Sequence, residues 1–410
     1  MSDNTFAPKW KRNAAFFLGG QFLSTFGSML VSFSVTWHIT LQEQSGGLVA
    51  LFACASMLPM VLISPFAGVW ADRYNRKILV NLADSAIALI TLLIAVLYIT
   101  GHKSIWLLFA ATMARSMGQG VQMPAVNALI PQLVPEDKLA KFNGIQSTAH
   151  SLTTFASPMA AGALLSFLPI EKIFFIDVAT AVVGIATVFI FVKVAPVPVK
   201  KDRQTGAQAY WHEMKEGIRF ISSQSWLKTM LVFTALFCFL AAPVAMLTPL
   251  QVARSFGGDV WRLTAIELTW SGGMVIGGIA ISLWGGFQNK VHSMILAWIL
   301  FGMSTVLFGV LTNFWVYLGV MVFCGMVMPL YNTPSMTLMQ SKIPPEVMGR
   351  VFSALAMING VAMPLGSVLF GPIGDVVAIE WLLVITGALM VVGGLVLLRR
   401  KTLIAAGAPD

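Results

Sequence analysis

The chain has 410 residues, of which 57% are hydrophobic and only 10% charged, with a mean hydropathy of +0.81 and a formal net charge of +9. A water-soluble protein cannot bury so large an apolar share, so the composition excludes a soluble globular domain and makes lipid the solvent. Cys54, Cys238 and Cys324 stand inside apolar runs at spacings that fit neither a disulfide framework nor a thiolate metal site, and the positive charge is scattered through short loops instead of along one nucleic-acid-binding face.

A hydrocarbon layer about 30 Å thick is crossed by about 20 helical residues. That ruler predicts an all-α membrane protein with twelve transmembrane helices, at 14–39, 48–71, 78–100, 105–128, 142–167, 173–194, 226–250, 263–284, 294–311, 315–339, 351–373 and 381–398. The first run is too long for a cleavable signal and leads into further spans. Trp106, Trp226, Trp315 and Trp381 stand near span ends, where amphipathic rings anchor at the membrane interface. Basic residues resist translocation and fix orientation. Of the 26 Lys and Arg residues, 21 fall on one side of this topology, while only Lys103, Lys172, Arg254 and Arg262 fall on the other and Arg115 lies within a span. Residues 1–13 and 399–410 are therefore expected in the cytoplasm of a cell membrane, with six-helix bundles at 14–195 and 226–398. The polar stretch 196–225 joins them and has the pattern of an amphipathic helix over 211–220. A faint repeat at an offset of 210 pairs Pro124 with Pro334, and Pro135, Glu136 and Phe142 with Pro345, Glu346 and Phe352, which predicts two pseudo-symmetric halves.

The loop between spans two and three runs Gly68, Val69, Trp70, Ala71, Asp72, Arg73, Tyr74, Asn75, Arg76, Lys77. Glycine permits close helix approach, a carboxylate can accept from the exposed amides of a neighbouring helix start, and asparagine can enter a left-handed turn. The loop resembles the signature of the major facilitator superfamily, with Asn75 in place of its second glycine. The resemblance implies that Gly68, Asp72, Arg73, Arg76 and Lys77 form a conformational latch, closing on the start of span eleven near Gly349 and Arg350. In span five, Ser157, Pro158, Ala161 and Gly162 resemble that superfamily's antiporter motif with small residues replacing two glycines, which implies a bend used in export. The alternative is a plain packing kink.

Arg115 must face a cavity or a carboxylate, since an unpaired guanidinium is costly in lipid. It resembles the buried arginine of the superfamily's fourth span, implying proton coupling or charge balance, with a structural ion pair to Asp84 as the alternative. Asp84, Asp177 and Glu267 also lie in spans and are candidates for proton coupling by the same reasoning. For Asp84 and Asp177, near their predicted helix starts, capping or pairing ranks above transport. Glu267 shares a helical face with Trp270 and Met274 and could carry a proton, face a cationic substrate or simply meet water at the interface.

Polar stripes within spans make sense in lipid only when the stripe is buried in protein or lines water. Gln21, Thr25, Ser28, Ser32 and Thr36 form one; Arg115, Gln119 and Gln122 a second; Gln146, His150 and Ser157 a third; Met328, Tyr331, Asn332 and Ser335 a fourth. The resemblance makes spans one, four, seven and ten the cavity walls, adding Phe233, Phe237 and Met246 of span seven; packing through small hydroxyls explains some of these positions equally well. End to end, the chain resembles the macrolide-efflux group of drug:proton antiporters. That implies a transporter and no enzyme, without cofactor or metal, carrying a small amphipathic molecule against protons and working as a monomer in lipid. No phosphate-cradling glycine loop is present to use ATP, which leaves an ion gradient as the drive. Export of a metabolite, siderophore or lipid by the same cycle stays open.

Overall fold

The computed structural model describes residues 10–194 and 219–408. Twelve long helices follow one another among them. In the first half they are α1 (Trp10–Glu43), α2 (Gly46–Arg73), α3 (Arg76–Ile99), α4 (Ile105–Leu133), α5 (Leu139–Phe167) and α6 (Ile170–Phe191). The second half holds α7 (Ser225–Ser255), α8 (Val260–Trp284), α9 (Lys290–Val310), α10 (Phe314–Lys342), α11 (Pro345–Val376) and α12 (Ile379–Leu397), followed by the short α13 (Lys401–Ala406). Most helices overrun their predicted spans because polar end residues keep helical geometry beyond the apolar layer; α1, with 34 residues, is about 51 Å long at 1.5 Å per residue. The amphipathic helix expected over 211–220 lies almost wholly outside the described residues.

Ten of the twelve are long and apolar enough to cross a membrane by length and composition alone. The other two, α4 and α5, carry Arg115, Gln119, Gln122, Asn143, Gln146 and His150, a polar load with a use described below.

The chain divides into two compact units, Met1–Ile39 with Ala55–Gln204, and Thr40–Cys54 with Thr205–Asp410. The first turns of α2 thus pack with the second unit and its remainder with the first. Inside each unit the third helix is the hub. In the first, α3 packs on α4 and α6; in the second, α9 packs on α10 and α12. This is the repeat glimpsed in the sequence, and Pro124 and Pro334 sit inside the equivalent helices α4 and α10.

Helices in lipid gain little from hiding apolar surface from each other, so close packing at small residues holds them. A Cβ on Gly20 of α1 would lie 2.9 Å from the Gly184 carbonyl of α6, and one on Gly184 would lie 2.6 Å from the Gly20 carbonyl. In the second unit Gly302 of α9 and Gly387 of α12 meet in the same way, at 2.8 and 2.6 Å. Gly19, one residue from Gly20, has nothing within 4 Å. Gly20→Leu should therefore cost several kcal/mol of overpacking, seen as a lower melting temperature and a smaller monodisperse fraction in detergent, while Gly19→Leu leaves both unchanged. Equal behaviour of the two variants would contradict the crossing.

The basic loop between α2 and α3 binds its own unit together. Asn75 is the N-cap of α3 at φ −64° and ψ 112°, accepting from the amides of Lys77 and Ile78 at 3.0 and 3.3 Å. The left-handed turn expected there is not formed, because a capping asparagine uses extended backbone. Arg76 donates to the carbonyls of Ala71 and Ala128, each at 2.9 Å, and Lys77 closes the C-terminal end of α6 through the carbonyls of Phe189 and Val192, at 2.8 and 2.6 Å. No described atom outside the neighbouring backbone of α2 lies within 4 Å of a Cβ on Gly68; close approach of α4 to α2 occurs instead at Gly120, whose Cβ would meet the Met60 carbonyl at 2.7 Å.

At the far end of the chain, α13 docks on the start of α9. Asn289 donates to the Ile404 carbonyl at 2.8 Å, the Lys290 amide donates to that of Gly407 at 3.2 Å, and Leu403 is fully buried.

Candidate functional site

A cavity of about 840 Å³ opens within the first unit, a size suited to a drug-like ligand. The polar stripe of α1 supplies Gln21, Thr25, Ser28 and Ser32 to its wall, α4 supplies Gln119, Gln122 and Asn127, and α5 supplies Asn143, Gln146 and His150. Phe17, Phe22, Met29, Met60 and Met123 give it broad apolar surfaces. The cavity explains why α4 and α5 fall short of a purely apolar span: their polar faces have somewhere other than lipid to point.

One carboxylate lines this cavity. Asp84 of α3 is 4% exposed and receives Gln21 Nε2 at 3.1 Å and Gln122 Nε2 at 3.2 Å, while Gln122 also donates to Gln21 Oε1 at 2.9 Å. Three helices thereby contribute to a single acid–amide cluster. Among the described residues no Lys or Arg pairs with Asp84. Amides can satisfy the lone pairs of a carboxylate but cannot neutralise it, so the group has a reason to take up a proton or a cation.

A second polar cluster lies farther from the basic end of the unit. Arg115 Nη1 of α4 pairs with Asp177 Oδ2 of α6 at 2.6 Å, and Thr91 of α3 donates to the same oxygen at 3.0 Å. Arg115 also donates to the Thr91 hydroxyl, and the Ser28 hydroxyl of α1 approaches Asp177 Oδ1 at 3.4 Å. Gly27 makes room for this, since a Cβ there would stand 2.9 Å from Asp177 Oδ1. Four helices are tied by one buried pair, and Ser28 belongs both to it and to the cavity wall.

The partner of Arg115 is therefore Asp177, and the alternative pairing with Asp84 is corrected. The reason is helix register. Arg115 precedes Gln122 by seven residues on α4, and Thr91 follows Asp84 by seven on the antiparallel α3, a displacement of about 10 Å along both helices. Gln122 thus meets Asp84 while Arg115 meets Thr91 and, beside it, Asp177. Neither acid caps a helix, since α3 begins at Arg76 and α6 at Ile170, about two turns before each carboxylate.

The second unit is built differently. Phe237 and Tyr331 stack with centroids 5.0 Å apart, Phe237 also packs on Trp298 and Phe301 at 5.4 and 5.0 Å, and Phe233 meets Trp298 at 5.6 Å. The Tyr331 hydroxyl and Thr234 Oγ1 share a hydrogen bond of 2.7 Å. Phe237 and Tyr331 are buried, and Trp298 is fully enclosed. These rings, expected on a cavity wall, form the packed interior between α7, α9 and α10, because α9 presents two large aromatics where a wall would need space. Trp270 packs edge-on to Phe301, Met274 is 38% exposed, Asn332 is exposed, and Glu267 is part-buried two turns inside α8 with no hydrogen-bond or ion-pair partner among the described residues.

In α5, Pro158 interrupts the helical ladder, Ser157 is fully buried with an unpartnered hydroxyl, and Ala161 and Gly162 are buried beside them. Asp72 stands in the last turn of α2.

The model of the Major Facilitator Superfamily matches residues 17–367. Macrolide efflux protein A of Streptococcus pyogenes is 28% identical over 385 residues, covering 93% of this chain and 94% of that protein. Macrolide efflux protein A of Enterococcus faecalis is 30% identical over 312 residues, covering 75% of this chain and 95% of its own length. Among solved structures, a POT family transporter in complex with a thioalcohol-conjugated peptide superposes with a TM-score of 0.73 at 12% identity, covering 94% of this chain and 96% of that one. The nucleoside transporter NupG superposes with a TM-score of 0.66 at 13% identity, covering 95% and 98%. These two likenesses speak for the fold alone. With its two helical repeats and its match to the family model over most of its length, the chain belongs to the Major Facilitator Superfamily and is a multi-pass membrane transporter, not an enzyme.

Proposed function

We propose that the protein is a proton-coupled exporter of a bulky amphipathic, macrolide-like compound, working by alternating access with its Lys- and Arg-rich face and both chain ends in the cytoplasm. The observation that carries this reading is Asp84, a carboxylate held only by amides on the wall of a cavity of about 840 Å³ that is otherwise apolar and neutral-polar. A proton and a cationic or polar substrate can occupy such a group in turn, and neither is blocked by a resident cation. The names of the relatives in Streptococcus and Enterococcus support the substrate class. The excess of basic residues on one side supports the orientation.

The other roles follow the same cycle. Asp72 closes the cytoplasmic ends by accepting from the amides at the start of α11. Pro158 with Ser157, Ala161 and Gly162 supplies a bend about which α5 moves, since proline removes a ladder hydrogen bond and the buried Ser157 hydroxyl adds none to hold the helix in place. Arg115 and Asp177 hold the cavity wall in shape. Glu267, inside α8 without a described partner, is a second acid able to face a cationic substrate with Trp270 and Met274.

The test is accumulation in inverted membrane vesicles energised to an acid interior, offering a macrolide, a neutral amphiphile of equal size and a siderophore. The expected result is severalfold accumulation of the macrolide that collapses when nigericin dissipates the pH gradient. Accumulation that survives nigericin would remove proton coupling, and uptake of the siderophore alone would move the substrate to a specific metabolite.

A further inference from the structure

A second carboxylate at the end of a helix has a set of partners that the exporter reading leaves unused. Asp375 stands in the last turn of α11 and reaches the turn between α1 and α2. Its Oδ1 accepts from the Gly46 amide at 2.6 Å, and its Oδ2 accepts from the Gly47 amide and the Ser45 hydroxyl, both at 2.8 Å. These are the free donors at the start of α2, so the acid closes a helix N-terminus with charge as well as hydrogen bonds. Arg254, at the end of α7, ties the same groups from the other side, donating to Asp375 Oδ1 at 3.2 Å, to the Gly374 carbonyl at 2.8 Å and to the Gln44 carbonyl.

Two further features show that this contact is built. Gln44 holds φ at +46°, the left-handed region, and is the one non-glycine residue among those described to do so. Side chains avoid that geometry unless neighbouring contacts fix it, and here the carbonyl it presents is the one bound by Arg254. Gly46 and Gly371 meet backbone to backbone: a Cβ on Gly46 would lie 2.5 Å from the Gly371 carbonyl, and one on Gly371 would lie 2.7 Å from the Gly46 carbonyl and collide with Ala50. The helices approach only because both positions lack side chains.

We propose that Asp375, with Arg254, is an outer clasp, the reciprocal of the Asp72 latch, which must release each time the transporter opens to the outside. This rests on the alternating-access reading and its orientation. The geometry gives the reason for reciprocity. Helix α11 carries Asp375 in its last turn, bound to the start of α2 by the bonds above, and α2 carries Asp72 in its last turn, the acid that the proposed latch assigns to the start of α11. Engaging one acid shuts one face, and a cycle needs the two to alternate.

The test uses full-length protein with its three cysteines replaced by alanine and Ser32→Cys on the cavity wall, labelled by a membrane-impermeant maleimide in right-side-out vesicles. Asp375→Asn and, by steric wedging instead of charge, Gly371→Leu should each raise the labelling rate at least fivefold over the parent. Glu380→Gln, which removes the charge from the acceptor of Ser255 outside the clasp, should leave it unchanged. Conversely, a disulfide between Gly47→Cys and Asp375→Cys, where a Cβ on Gly47 would lie 3.2 Å from Asp375 Oδ2, should stop labelling and transport, and reductant should restore both. Rates within twofold of the parent for Asp375→Asn and Gly371→Leu, or free labelling under the disulfide, would overturn the clasp. The labelling needs neither substrate nor gradient, so failure of the proton or substrate assignment leaves it readable. Labelling of the variants only in inverted vesicles would instead reverse the orientation.

Discussion

Replacing Asp177 by leucine should cripple the fold of the first unit, and replacing Arg115 by methionine at the same time should restore most of what was lost. Removing one partner leaves the other charge buried and unpaired, which costs about 3–5 kcal/mol, whereas a matched apolar pair costs little. The pair also receives Thr91 and Ser28, so the single variant disconnects α1, α3, α4 and α6 together. The measurement is thermal unfolding in detergent with a double-mutant cycle. The expected pattern is a steep loss in each single variant and near-recovery in the double. If the double variant is as unstable as the sum of the singles, the pair does not act as a unit. Substrate binding by the double variant separates structure from function: a staple predicts binding close to wild type once stability returns, while a direct coupling role predicts none.

The second large effect is on Asp84. Asp84→Asn keeps the size of the side chain and can keep both glutamine contacts after an amide flip, so stability should hardly change. What it loses is the exchangeable proton. In reconstituted vesicles the variant should still equilibrate substrate across the membrane, yet accumulate none uphill under a pH gradient, a loss of at least tenfold in the accumulation ratio. Glu267→Gln provides the comparison: if it alone abolishes uphill transport, the coupling acid lies in the second unit. Undiminished accumulation by Asp84→Asn would remove that residue from the coupling step.

How far the sequence could be read depended on whether one helix or two were involved. The cavity wall was legible because Gln21, Thr25, Ser28 and Ser32 repeat along one face of one helix, and a polar face in lipid has few uses. The ends of α3 and α6 were legible to within a few residues because lipid thickness sets them. Partnerships between helices were not. Arg115 could have met either acid, and the choice rests on the axial register of α3, α4 and α6, which no single-helix pattern encodes. Phe237 and Tyr331 looked like cavity residues for the same reason. Aromatic stripes suit a binding wall and a packed core alike, and Trp298 and Phe301 on a third helix decide between them. The contact of Asp375 with Arg254 was not legible because both lie at span ends, where a charge needs no explanation beyond the topology. The one local signal was the Gly371, Pro372, Gly374 run just before Asp375, which marks a close backbone approach.

A protein whose cavity acid serves proton and substrate in turn must give up one when it takes the other. The direct measurement is proton release from purified transporter in weakly buffered detergent solution as a macrolide amine is titrated to saturation, at a pH where the wild type is protonated. Close to one proton released per bound substrate, with none from Asp84→Asn at equal occupancy, is the predicted result. Saturating binding with no release from the wild type, or the same release from Asp84→Asn, would contradict it.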